Sequence, residues 1–231
     1  MRAELATTVA AVGWFGPAAA PVVPPVASMF RIPLRLPAGG IAVTFDDGPH
    51  VRGTPAVLAA LASAGARATF FLVGEQVARA PALAREIADA GHEVGIHGFR
   101  HKLLLGRGPA SLRDDFERAR DVIASATGVV PTVYRPPYGV FSGPALLLVR
   151  RLGWKPILWS RWGRDWEARA TATSIAARAT RNLGKGDVVL LHDAAHYGSG
   201  DSWLKTAAAL PAVRAAASAT GEALVSVSQS R

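Results

Sequence analysis

From residue 40 onward, short apolar runs alternate with longer segments in which apolar residues recur at helical spacing. The runs near 40–45, 68–73, 93–97, 132–135, 155–160, 187–192 and 223–227 predict strands. The segments 54–63, 81–90, 111–126, 143–152, 172–182 and 202–217 predict helices. Local signals mark the helix ends. Thr54-Pro55 suits an N-cap followed by proline in the first turn. Ser111 with Asp114 approximates a capping box. Gly65, Gly91, Gly128 and Gly153 stand just past helical segments, where left-handed caps are expected. Seven strands alternating with helices predict an α/β fold with a mainly parallel sheet. No repeat or domain break interrupts the pattern after residue 40.

Residues 1–39 follow a different rule. No charged residue occurs between Glu4 and Arg31, and Pro17, Pro21, Pro24 and Pro25 break any helix through the second half. The uninterrupted apolar part, 5–16, is shorter than the roughly 20 residues that span a bilayer. It suits the apolar region of an export signal, with Ala18-Ala19-Ala20 as a small-residue cleavage site. The expected organisation is therefore an apolar leader at 1–39, signal-like or membrane-associated and ending in a linker at 31–37, followed by one domain at 40–231. The competing expectation is an apolar segment docked on that domain.

Composition narrows the chemistry. Half of the 231 residues are apolar, enough for a sizeable core. The absence of cysteine excludes disulfides and thiolate chemistry, so a metal site would need imidazole and carboxylate ligands. The net charge of +9 favours anionic partners. The basic residues are dispersed, however, and no nucleic-acid-binding signature accompanies them, so nucleic acid is not an expected partner.

The polar residues that need a reason gather at predicted strand ends. Asp46-Asp47 closes the first strand, His97 the third, Arg135 the fourth and His192-Asp193 the sixth, while 159–166 follows the fifth. In parallel α/β barrels these ends converge on one face. Adjacent residues on a strand point to opposite sides, so Asp46 and Asp47 are expected to have different tasks. His97 and His101, four apart, would share one face of a helical turn and could chelate one ion. With a carboxylate from the first strand they make a two-imidazole, one-carboxylate set of the kind that holds Zn²⁺ or a similar divalent ion. Hydrolysis at such a site also needs a base and an acid. The remaining aspartate of the pair can be the base, with Arg135 orienting it. His192 can be the acid if Asp165 holds it protonated. Tyr138, Trp159, Trp162 and Trp166 offer flat faces to a sugar ring, with core or rim packing the plain alternative.

Five motifs, TFDDGP at 44–49, HGFRH at 97–101, RPPYG at 135–139, RDW at 164–166 and LLHD at 190–193, in this order resemble the polysaccharide deacetylase family, the NodB-homology group or carbohydrate esterase family 4. The resemblance covers 40–227 and implies a distorted (β/α)7, TIM-like barrel that removes acetyl groups from a sugar polymer with a divalent metal, Zn²⁺ or a neighbour such as Co²⁺. By the family pattern Asp46 is the base, and Asp47, His97 and His101 bind the metal. Arg135 positions the base, Asp165 tunes His192, and His192 is the acid. The resemblance implies that the Tyr138 backbone N–H helps hold the oxyanion; Pro137, Tyr138, Trp159, Trp162 and Trp166 are the candidate substrate-binding residues. The implied partner is an acetylated glycan such as peptidoglycan or a chitin-type oligomer. The implied state is a monomer, exported or associated with membrane or cell wall in a bacterium, with the cytoplasm as the alternative. Two departures bear on loop rigidity and specificity: Gly98 stands where the family usually has Ser or Thr, and Ser160 and Trp162 occupy a stretch that often carries an acid. The competing readings are a barrel of the same kind acting on small amides or cyclic imides, and a glycan-binding wall protein with little activity.

Overall fold

The computed structural model describes residues 12–229. β1 (Ala42–Asp46) sits at the centre of a seven-stranded sheet, fully buried along its length. It is flanked by β2 (Thr69–Leu72) and β7 (Val188–His192). Beyond β2 follow β3 (Glu93–Ile96), β4 (Val133–Tyr134) and β5 (Lys155–Pro156); beyond β7 lies β6 (Arg161–Trp162). Every pairing is parallel. The sheet is curled and incompletely closed, a distorted (β/α)7 barrel of the kind the resemblance implies, with helices packed outside it. Burial on both faces explains why β1, β2 and β7 read as continuous apolar runs rather than alternating ones.

Two expected strands differ. The run 155–160 forms a strand only at its start, where β5 pairs with β4; 157–160 then crosses to the opposite edge of the sheet, where the following β6 pairs with β7. The crossing has a hydrogen-bonding cause. Ile157 N–H still donates to Tyr134 of β4, and Ser160 N–H already donates to Val188 of β7. Between them, Leu158 N–H donates to the Pro33 carbonyl at 2.9 Å. The run 223–227 makes one bridge, Leu224 to Ile41, and then turns into a 3₁₀ helix, Val227–Gln229. Both edges of β1 are already taken by β2 and β7, so this segment can pair only at its start.

The helical segments form close to where they are expected: Gly53–Ser63, Pro81–Asp89, Pro109–Thr127, Gly143–Arg151, Ala172–Ala179 and Ser202–Ala219. Gly65, Gly91, Gly128 and Gly153 have φ of +58°, +79°, +74° and +75°, the left-handed conformation expected of them. Two caps differ. Arg52 is the cap of Gly53–Ser63, and Thr54 instead accepts from His50 N–H and donates to Asp193. Gly108 caps Pro109–Thr127, and Ser111 meets Arg107. Helices Pro24–Met29 and Gly74–Arg79 add to the sequence reading.

The N-terminal segment packs on the barrel as far as it is described. Ala20, Ala27, Ile32 and Leu36 are buried in the same core as the strands. Leu36 N–H donates to Gly186 at 2.7 Å, and Arg35 pairs with buried Asp187 at 2.9 Å. Residues 1–11, which carry much of the predicted export-signal run, lie outside the described residues. Among the described residues no helix is long and apolar enough to cross a membrane.

Candidate active site

The C-terminal ends of the strands meet around a cavity of about 340 Å³. Asp46, the last residue of β1, stays in strand geometry, whereas Asp47 turns to φ +78°. That conformation costs a non-glycine residue roughly 1 kcal/mol or more. It separates the two carboxylates. Asp46 Oδ1 receives Arg135 Nη1 at 2.7 Å, and Asp47 Oδ1 lies 3.4 Å from His97 Nε2 and 3.2 Å from His101 Nε2.

Arg135 is fully buried and fixed on all sides. It also donates to Thr44 Oγ1 at 2.7 Å and the Leu158 carbonyl at 2.9 Å, and it lies 4.1 Å over the Phe71 ring. Thr44 precedes Asp46 by two positions on β1, which puts both side chains on one face of the strand. On the other flank, His192 ends β7 in register with Asp46. Its Nδ1 is 2.9 Å from Asp165 Oδ1, its backbone N–H donates to Asp165 Oδ2 at 2.7 Å, and Thr206 donates to the same oxygen at 2.7 Å. Burial alone would drive the His192 pKa down, but the Asp165 carboxylate outweighs it and lifts the imidazole to about 10. His192 Nε2 faces Asp47 Oδ2 at 4.0 Å.

The turn at 97–101 is irregular rather than helical. The two imidazoles converge because Gly98, at φ +82°, reverses the chain between them. His97 Nδ1 lies 2.8 Å from the Arg135 carbonyl, which accepts its proton and turns Nε2 toward Asp47. The expected loss of rigidity at Gly98 is offset by other contacts. The Gly74 and Glu75 N–H groups at the start of helix Gly74–Arg79 hold the Gly98 and Phe99 carbonyls, and Phe99 N–H donates to Asp115 at 2.8 Å.

Asp47, His97 and His101 form a group able to hold a metal ion, with one donor atom from each within 4.8 Å of the others. The protonation states suit it. Burial would raise Asp47, but His97 beside it and the neighbouring imidazoles bring it down to about 2. Burial lowers His101 to about 4 despite Asp47. Asp47 Oδ1 is buried without a hydrogen-bond partner, although two imidazole nitrogens are near it. An orphaned anionic oxygen facing two imidazole nitrogens fits a divalent cation.

Of the aromatic residues proposed to face substrate, Tyr138, Trp159, Trp162 and Trp166 line the cavity. Tyr138 is 57% exposed, at φ +60° in the turn Pro137–Gly139. Trp166 stands edge-on to His192, with ring centres 5.3 Å apart. Pro137 is buried and lies outside the cavity lining; it backs the turn from within. Sequence reasoning missed three residues of the site. Tyr197 stacks on His101 at 4.0 Å and joins Glu75 and Gln76 through its hydroxyl. Thr44 and Thr206 brace the two flanking ion pairs. Tyr197 lies in an aperiodic loop, and nothing in its sequence surroundings marks it.

Comparison with known proteins gives a consistent result. The family described as Polysaccharide deacetylase matches residues 35–157. A peptidoglycan-N-acetylglucosamine deacetylase of Bacillus cereus is 33% identical over 192 residues, 82% of this chain and 86% of that protein. A chitooligosaccharide deacetylase of Azorhizobium caulinodans is 34% identical over 191 residues, 80% of this chain and 90% of that protein. The crystal structure of a peptidoglycan N-acetylglucosamine deacetylase in complex with 4-naphthalen-1-yl-N-oxidanyl-benzamide superposes with a TM-score of 0.79 at 26% identity, covering 87% of this chain and 92% of that one. With the family match spanning more than half of its length, this chain belongs to the polysaccharide deacetylase family.

Proposed function

We propose that this enzyme is a metal-dependent hydrolase that removes N-acetyl groups from a carbohydrate polymer or oligomer of the peptidoglycan or chitin type. The observation that carries the reading is the ordering of the cavity. A three-ligand group lies between a carboxylate held by arginine and an imidazole held by a carboxylate. Asp47, His97 and His101 would hold the ion. A bound divalent metal supplies an electrophile for the acetyl carbonyl and makes water more acidic.

This chain's own residues do the proton work. Asp46 acts as the base, accepting a proton from the attacking water. Arg135 and Thr44 fix the reactive carboxylate, because two of the Arg135 donors are already committed to main chain and strand. His192 acts as the acid: held protonated by Asp165, it gives its Nε2 proton to the departing sugar nitrogen. The Tyr138 N–H, presented by its left-handed turn, would contribute to oxyanion stabilisation. Trp162 and Trp166 supply the sugar-facing wall. The complete set of base, acid and ligands argues against a role in binding alone, which needs none of them. A peptidoglycan-type substrate puts the site of action at the bacterial cell wall. Acetate release from a panel of N- and O-acetylated glycans, with and without Zn²⁺ or Co²⁺, tests the proposal. Release from N-acetylated oligomers with added metal is expected; no release from any member of the panel would contradict it.

A further inference from the structure

A second and larger depression, of about 920 Å³, adjoins the catalytic cavity. Trp159 and Trp162 line both spaces, so the two adjoin with these rings as their common wall. One wall of the second space is the N-terminal segment from Pro21 to Arg35. This wall is fixed to the barrel. Leu158 N–H donates to Pro33, Arg35 bridges to Asp187, and a Cβ on Gly139 would meet Pro21 Cγ at 3.2 Å. Gly139 itself lines the catalytic cavity, so the segment reaches its rim.

The groove is cationic. Arg31, Arg35 and Arg161 line it, and among the described residues no acidic side chain does. Arg35 and Arg161 share buried Asp187, at 2.9 and 3.3 Å. Arg31 is exposed, and its side chain has no hydrogen-bond or ion-pair partner among the described residues. Three guanidinium groups against one carboxylate leave a surplus of positive charge beside a flat indole face. A guanidinium fork matches a carboxylate, and an indole ring suits the apolar face of a pyranose.

We propose that this groove is a second saccharide subsite, built by the N-terminal segment, for a carboxylate-bearing sugar next to the acetylated residue, with Arg31 as its ion-pair partner. The proposal rests on the reading of the substrate as a glycan. It makes the segment before residue 36 a determinant of specificity as well as part of the barrel packing.

The test compares two tetrasaccharides by isothermal titration of the full chain in an Asp46→Asn background, which suppresses turnover. One alternates N-acetylglucosamine with N-acetylmuramic acid, whose lactyl groups carry carboxylates; the other is neutral chitotetraose. Arg31→Asn removes the charge while tolerating the φ of +50° at this position, and Arg31→Lys keeps the charge. Arg31→Asn is expected to weaken binding of the acidic tetrasaccharide about three- to fivefold, to leave chitotetraose unchanged, and to be partly rescued in Arg31→Lys. Equal losses for both glycans, or no loss for either, would overturn the subsite. Acetate release from chitotetraose by the unsubstituted chain is read separately. If it is absent, and the N-acetylmuramic-acid-containing tetrasaccharide also releases no acetate, while the selective loss is present, the deacetylase reading fails and the subsite stands.

Discussion

Two buried ion pairs flank the metal-ligand group, and they differ in one respect. Arg135 with Asp46 joins a carboxylate to a cation that stays charged at any working pH. His192 with Asp165 joins a carboxylate to a cation that can lose its proton. Each pair is braced by a buried threonine, Thr44 or Thr206. In the proposed mechanism the reactive member is the carboxylate in the first pair and the imidazole in the second. A proton acceptor is thus held by a partner that cannot titrate, and a proton donor by one that sets its titration. The two flanks should therefore respond differently to substitution and to pH.

The largest effect is expected at the reactive carboxylate. Asp46→Asn should lower kcat about 10³-fold or more while leaving metal affinity near normal, measured by acetate release and metal titration. A variant that keeps near-normal kcat would remove Asp46 from its role. Arg135→Leu should also lower activity. In addition it should cost about 3–5 kcal/mol in urea unfolding, because Asp46 is left buried without its partner.

On the other flank the expected signature is a pH shift. The acid form of His192 is present below its pKa of about 10 and is lost as pH rises through that value. Asp165→Asn should move the high-pH limb of kcat toward lower pH. The same pair bears on stability. A pKa raised from 6.5 to about 10 contributes stability that is fully present below 6.5 and lost as pH rises through about 10. The excess of wild-type stability over Asp165→Asn should therefore shrink across that window, as followed by thermal unfolding. The smallest effect is expected for Thr44→Val, at about 1–3 kcal/mol of stability with the high-pH limb unmoved. A shifted limb in Thr44→Val would show that the two flanks are not independent.

Much of this contrast is legible in the sequence because the chemistry is placed at strand ends. Asp46, Asp47, His97, Arg135 and His192 each close an apolar run, and the fold brings those ends together. What was not legible depends on partners distant along the chain. The break of the expected strand 155–160 after β5, with β6 following at 161–162, comes from pairing with β4 on one side and β7 on the other. No local pattern records which edge a residue will meet. The spacing of His97 and His101 suits a helical turn and a glycine-reversed loop equally well, and Gly98 decides for the loop. Tyr197 reaches His101 from a loop without periodicity. Within the apolar segment read as 1–39, Ala20, Ala27, Ile32 and Leu36 lie in the core, while the part read as an export signal falls mostly outside the described residues. Apolar burial and membrane passage draw on the same residues.

The central claim is that Asp47, His97 and His101 hold a metal on which acetyl removal depends. It is tested most directly by acetate release from an N-acetylglucosamine oligomer, with protein verified metal-free after chelation and then reconstituted with Zn²⁺. No turnover is expected in the stripped protein, with recovery on reconstitution. Full turnover by the metal-free protein would contradict it.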